Sequence, residues 1–180
     1  MLNCMRRRCK MERGLSYMTD TLRIANNVLR RGFEENVEIN LMKLDKLMYL
    51  LYGKYLRDTG GVSLFPSRFV VGKKGPVLQD TTMYFQKYGS DATGRQIDDY
   101  AKHNGEAQAF DEEKHVTLKE TLDYVWEKFG HLSAEDLSDI THRDRTGWRK
   151  ARELGWAIIQ DVHIFAEEDA CLAEKEPTYA

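Results

Sequence analysis

No stretch of this sequence approaches the roughly 20 consecutive apolar residues that a membrane-spanning helix needs, so a bilayer span is not expected. The basic N-terminus is not followed by a long apolar region, so no secretory signal is expected either. Cysteine is scarce. Cys4, Cys9 and Cys171 are too few and too scattered for a disulfide framework, which fits a reducing cytoplasm. Cys4 and Cys9 also lack the nearby partners of a zinc site. An excess of one charge sign is missing too. The 27 Lys and Arg against 29 Asp and Glu give a net charge of −2 and a pI near 6.2, so no global field favours nucleic acid as the primary partner. Gly72-Lys73-Lys74-Gly75-Pro76 has neither the spacing nor the Lys-Ser/Thr ending of a phosphate-cradling loop. His103, His115, His131, His142 and His163 show no metal-ligand spacing, so neither a metal nor a cofactor is expected. Internal repeats and low-complexity tracts are absent.

What is present is one strong helical pattern. The chain has 180 residues, 42% hydrophobic and 31% charged, which is ordinary for one globular domain with a proper core. Between Asn40 and Gly61, Leu41, Leu44, Met48, Leu51, Tyr52 and Tyr55 recur at helical spacing, and Leu47, Leu50 and Leu56 fill a second face. A helix apolar nearly all round is buried between other elements. Asn40 is placed to cap its start, and Gly60 or Gly61 to end it in a left-handed turn. Lys43, Lys46, Lys54 and Arg57 read as a narrow solvated edge that a partner can also meet.

Around this helix the expected fold is mainly α: a single compact helical domain with a small β element at a crossover. Residues 1–18 are basic and aperiodic, through Arg6, Arg7, Arg8, Lys10 and Arg13. They read as a disordered tail or an upstream start, with a nucleic-acid-binding arm as the sharper alternative. The helical domain is placed at residues 19–173 and an acidic tail at 174–180. A first helix spans Asp20 to Arg31, capped by Thr19 and stopped by Gly32. Phe69, Val70 and Val71 favour a short strand. Gly75-Pro76-Val77 reads as a helix start, because proline at the first helical position loses no hydrogen bond. Residues 90–113 are polar and read as an insertion carrying a short hairpin. Thr117 to Glu120 and Ser133 to Asp136 have capping-box form. A short helix is expected from near Thr146, and a last one from Gln160 to Ala173.

The densest polar cluster runs from Leu137 to Lys150. Asp139 and His142 stand one helical turn apart, which suits a general acid–base pair; with no nucleophile or metal partner beside them, a histidine that bonds a carbonyl at a helix end is the preferred reading. Arg145, Arg149 and Arg152 are expected on one helical face, either as a grip for phosphates or as a solvated surface.

Three segments taken in order resemble the Panacea domain family, which includes SocA-like antitoxins and GepA-like phage-associated proteins. They are LMKLDKLMYLLYGKYLRDTGG, LFPSRFVVGKKGPV and LSAEDLSDITHRDRTGWRKARE. The family pattern has an LKLQKLLY helix, a PLF...AW..GPV crossover and a late LS..THs..pW motif. This chain departs from it with Gly72 in place of the tryptophan, Lys74 in place of an aromatic, and Gly147 in place of the proline before Trp148. The resemblance implies a non-enzymatic cytoplasmic antitoxin whose partner is a cognate protein toxin. In one branch of the family the antitoxin hands its toxin to a protease as an adaptor. The two non-periodic motifs then supply the candidate partner-binding residues Lys74, Gly75, Pro76, Val77, Thr141, His142 and Trp148, with Lys43 and Lys46 next in line. A nucleic-acid-binding regulator using the Arg145, Arg149 and Arg152 face and an enzyme centred on His142 stand as the alternatives.

Overall fold

The structure, a computed structural model, describes residues 18–87 and 95–167. The basic arm before Met18 and the acidic tail at 174–180 lie outside the described residues. Met18, assigned to the arm, packs partly buried against the core. Helix α1 (Asp20–Glu35) starts where Thr19 accepts a hydrogen bond from the Leu22 N–H at 3.2 Å. It does not stop at Gly32. It runs on to Glu35 and closes on Asn36 at φ 56°, whose N–H bonds the Gly32 carbonyl. Gly32 is there for space: a Cβ would stand 2.5 Å from Ile39 Cδ1, so its bare backbone lets the chain fold back onto α1.

Helix α2 (Leu41–Asp58) is the central element. Asn40 caps it through the Lys43 N–H at 2.8 Å, and Gly60 and Gly61 lead away at positive φ. Fourteen of its 18 residues are buried, and it packs against α1, α3, α4, α5, α7 and β2. No other element meets so many neighbours, which is why apolar residues occupy both its faces.

The crossover is a β-hairpin, β1 (Phe69–Gly72) and β2 (Gly75–Leu78), turning over Lys73 and Lys74. This corrects the expected helix start at Gly75-Pro76-Val77. Helix α3 (Gln79–Lys87) begins only at Gln79. Val71 pairs with Pro76, and the Val71 N–H turns away from β2 to bond the Ala157 carbonyl at 2.9 Å. In an antiparallel ladder the opposite residue then also points outward, so the missing proline N–H falls where no ladder bond is made. The hairpin's inner face puts Phe69 edge-on to Tyr49 and Tyr52 of α2, with ring centroids 5.1 and 5.5 Å apart. Residues 157–159 return along the far side of β1, with the Ile159 N–H on the Phe69 carbonyl at 2.8 Å and Val70 bridging to Ile158.

The insertion carries the expected hairpin, β3 (Lys102–His103) and β4 (Glu106–Ala107), turning at Asn104 and Gly105, both at positive φ. Asn26 and Asn27 of α1 hold it. Their amides exchange hydrogen bonds with the backbone of Ala101 and Phe110 at 2.8–2.9 Å. Helix α4 (Val116–Phe129) follows, then α5 (Ala134–Thr141), α6 (Gly147–Glu153) and α7 (Asp161–Phe165). The Ser133–Asp136 capping box forms, but the one expected at Thr117 does not. Helix α4 starts two residues earlier, after His115, and Thr117 lies inside the first turn with its carbonyl bonded by the Thr121 hydroxyl. Helix α7 closes at Phe165, short of the expected Ala173.

Leu47 and Leu51 of α2 face the protein core at 1% exposure or less. Leu47→Ala or Leu51→Ala should lower stability by about 2–5 kcal/mol, because the cavity cannot collapse among so many neighbours. Urea unfolding midpoints check this, and a loss under about 0.5 kcal/mol at both positions contradicts the central role of α2.

Candidate functional site

The crossover hairpin is held from three sides. Lys46, from the middle of α2, is 1% exposed and donates through Nζ to the Pro76 carbonyl at 2.9 Å. The same outward-pointing geometry that removes Pro76 from the ladder aims its carbonyl at this lysine. Helix α5 supplies the second side, where the Ser138 hydroxyl donates to the Lys74 carbonyl at 3.2 Å. Helix α6 supplies the third, where the Trp148 indole N–H donates to the Gly72 carbonyl at 3.2 Å. The His142 ring stacks on Trp148 at 3.9 Å between centroids and 16° between planes, and it hydrogen-bonds the Lys74 backbone. The Arg152 guanidinium also lies over the indole, its central carbon 5.0 Å from the Trp148 centroid.

Two glycines make this packing possible. A Cβ on Gly75 would meet Lys46 Cε at 2.5 Å and Thr141 Oγ1 at 3.0 Å, and its φ of 110° is foreign to L side chains. A Cβ on Gly72 would stand 2.6 Å from Val77 Cγ2 and 2.8 Å from the Gly75 carbonyl oxygen. The bulky aromatic of the family pattern therefore has no room at Gly72 on this backbone.

The electrostatics follow from burial. Desolvation pushes the Lys46 amine down from its usual range, partly offset by neighbouring Asp45. Asp45 is fully buried and pushed up by the same cause, with the Thr81 hydroxyl at 2.7 Å, Lys46 and the Leu78 N–H opposing the shift. Burial first, then the positive Lys46 and Arg152, lowers His142, so its ring stays neutral at physiological pH. Asp139 acts on His142 only through space, against that trend. The His142 Nε2 is buried without a partner among the described residues.

The structure therefore brings eight of the nine candidate residues together, all but Lys43, and corrects how several of them act. Lys43 and Lys46 are buried, not a solvated edge. Lys43 faces Glu38 and the start of α5 in place of the hairpin. Trp148 is 1% exposed and belongs to the core, so it supports the hairpin from beneath. Gly75, Pro76 and Thr141 are buried as well, so Lys74, Val77 and His142 carry the accessible surface of the set. The arginine face does not form as expected. Arg145 precedes α6 at φ 70°, Arg149 pairs with Glu153 at 2.7 Å, and Arg152 covers Trp148.

Sequence reasoning missed a second buried cluster beside the hairpin. Glu167 is buried, and its carboxyl accepts from both the Tyr49 hydroxyl of α2 and the Gly147 N–H that opens α6. Burial raises it to about 7, against the pull of those two donors. Gly147 again allows the approach: a Cβ would stand 3.0 Å from the Tyr49 hydroxyl and 3.1 Å from Glu167 Oε1. A proline, as in the family pattern, would also remove the N–H. The Asp45–Thr81 pair was missed for the same reason, since nothing in a helical period marks which acid turns inward.

A family model described as Antitoxin SocA-like, Panacea domain, matches residues 44–149, from within α2 to within α6. No curated protein and no solved structure matches the chain. Among the described residues no helix is long and apolar enough to cross a membrane, and no group of His, Cys, Asp and Glu is placed to hold a metal ion.

Because Glu167 sits near 7 in the fold and near 4.3 when unfolded, the folded state favours its protonated form. That contribution is complete below about pH 4 and is lost as pH rises to about 7, a change on the order of 3 kcal/mol. Thermal melts of wild type and Glu167→Gln between pH 5 and 8 should converge at the acid end. Wild type should fall relative to the variant as pH rises, and a constant offset across the range contradicts the buried protonated carboxyl.

Proposed function

Since the chain belongs to the Antitoxin SocA-like, Panacea domain, family, we propose that it is the antitoxin of a toxin–antitoxin pair and that it neutralises a protein toxin in the cytoplasm by binding it directly. The observation that supports this reading most is the rigid presentation of the crossover tip. Lys73 and Lys74 are exposed, neither has an ion-pair partner among the described residues, and the backbone beneath them is fixed by Lys46, Ser138 and Trp148. Two free ammonium groups on a fixed turn give a partner charge-complementary contacts without ordering a loop first. The tip lies within the span that matches the family.

A His142-centred enzyme draws no support from this geometry. The ring is occupied by Trp148 on one face and Lys74 at an edge, which suits a packing role. A nucleic-acid regulator is also the weaker reading, because Arg149 and Arg152 are engaged by Glu153 and Trp148 and the net charge is −2.

The test is co-expression with the toxic product of a neighbouring reading frame. The wild-type chain should restore growth. Lys73→Glu/Lys74→Glu should abolish the rescue while the melting temperature moves by only a few degrees, about 0.5 kcal/mol, as surface substitutions do. Rescue by the double variant at the wild-type level would remove the tip from the interface. Tight, sequence-selective DNA binding at physiological salt would favour the regulator instead.

A further inference from the structure

The chain leaves α6 through Gly155 at φ 68°, with the Trp156 N–H bonded back to the Ala151 carbonyl at 2.9 Å. It then lies along β1 for three residues. The Val71 N–H bonds the Ala157 carbonyl, the Ile159 N–H bonds the Phe69 carbonyl, and Val70 faces Ile158 between these bonds. In that antiparallel pattern the N–H and C=O of Ile158 point away from β1, and neither takes a partner among the described residues. Residues 157–159 therefore form the open edge of a small three-stranded sheet.

Open edges are normally protected by charge or proline, because they template pairing with another chain. This one is flanked by apolar side chains instead. Leu154, Trp156, Ile158, Val162 and Phe165 are exposed, from 39% at Trp156 to 64% at Val162. They are five of the eight large hydrophobics exposed among the described residues, within twelve consecutive positions. Such clustering marks an interaction site, where scattered singles would mean nothing. The surroundings are basic. Residues 68–74 and 143–163, which frame the edge, carry eight Lys and Arg against three Asp and Glu, in a chain whose net charge is −2. The His163 ring stacks on Trp156 at 5.3 Å, and burial first, then the positive charge of Lys150, lowers its pKa. Glu153 and Asp161, two of the three acids, are already paired with Arg149 and Arg68.

We infer that the edge at residues 157–159 and its apolar strip receive an extended, acidic and apolar segment of a partner protein, which adds to β1 and residues 157–159 as a further strand. Main-chain bonds to Ile158 supply affinity, the strip takes alternate apolar side chains, and the basic surroundings select acids between them. This deepens the antitoxin reading and rests on it for the statement that the partner is the toxin.

The experiment is selection from a displayed library of random peptides about ten residues long, enough to span the edge at ~3.3 Å per residue, with the full chain as bait. Enriched peptides should alternate apolar and acidic residues. Their affinity should fall about tenfold or more on backbone N-methylation and against Ile158→Asp or Val162→Asp. Lys150→Glu, on the exposed face of α6, is the second variant should either of these fail to fold, and it should weaken the same peptides. No enrichment over a bait-free control, peptides without acids, indifference to N-methylation, or indifference to the variants overturns the inference. So does a wild-type dimer that becomes monomeric in Val162→Asp, because a second copy would then occupy the edge. In the growth assay, rescue by folded Ile158→Asp equal to wild type overturns the inference and leaves the antitoxin reading intact. Failure of the wild-type chain to rescue removes that reading, while the peptide selection still decides the edge.

Discussion

A lysine amine buried in the middle of the central helix sets the geometry of everything at the crossover. Burying an unpaired ammonium is prohibitively unfavourable, so Lys46 must find acceptors inside the protein. It finds the Pro76 carbonyl, and Asp45 beside it supplies opposite charge from the same helix. Asp45 in turn needs donors and takes them from Thr81 and the Leu78 N–H, at the point where β2 passes into α3. One polar requirement on α2 therefore ties down both ends of β2. Gly75 must then be glycine, because the lysine passes where its Cβ would be.

A second buried acid repeats the device at the other side of the hairpin. Glu167 joins Tyr49 of α2 to the first N–H of α6, and α6 carries Trp148 under Gly72. Between these two polar ties the hairpin has little freedom, and its position does not depend on apolar packing alone. On the proposed reading, the face offered to a partner is built from separate parts of the chain: the Lys73–Lys74 tip, the exposed side of α6, and the strand edge at residues 157–159. The buried residues of the family motifs hold that face in place, and on the proposed reading their exposed neighbours are the ones that meet the partner.

Much of the frame was legible in the sequence because it obeys local rules. The period of α2, the Asn40 and Thr19 caps, the Ser133–Asp136 box and the turn at Asn104-Gly105 all depend on residues close together in the chain. What escaped depends on distant partners. Pro76 lacks an N–H, and that fact suits the first turn of a helix and an outward position in a ribbon equally well. Only β1, several residues earlier, decides between them. Lys46 looked solvated because lysines usually are, and the carbonyl it needs lies 30 residues away. Trp148 read as a partner-binding candidate, and the hairpin that buries it comes from another part of the chain. Asn26 and Asn27 sat unremarked in a helical stripe, although they hold the insertion through its backbone.

The central claim is that Lys46 fixes the hairpin, and native-state amide hydrogen exchange on Lys46→Met tests it most directly. Methionine keeps the length and the packing but leaves the Pro76 carbonyl buried and without a donor. The account predicts that the hairpin amides, Val70, Val71 and Val77 among them, exchange about tenfold faster or more, while those of α2 and α4 keep their protection. Unchanged exchange across the hairpin, with the variant otherwise folded, would contradict it.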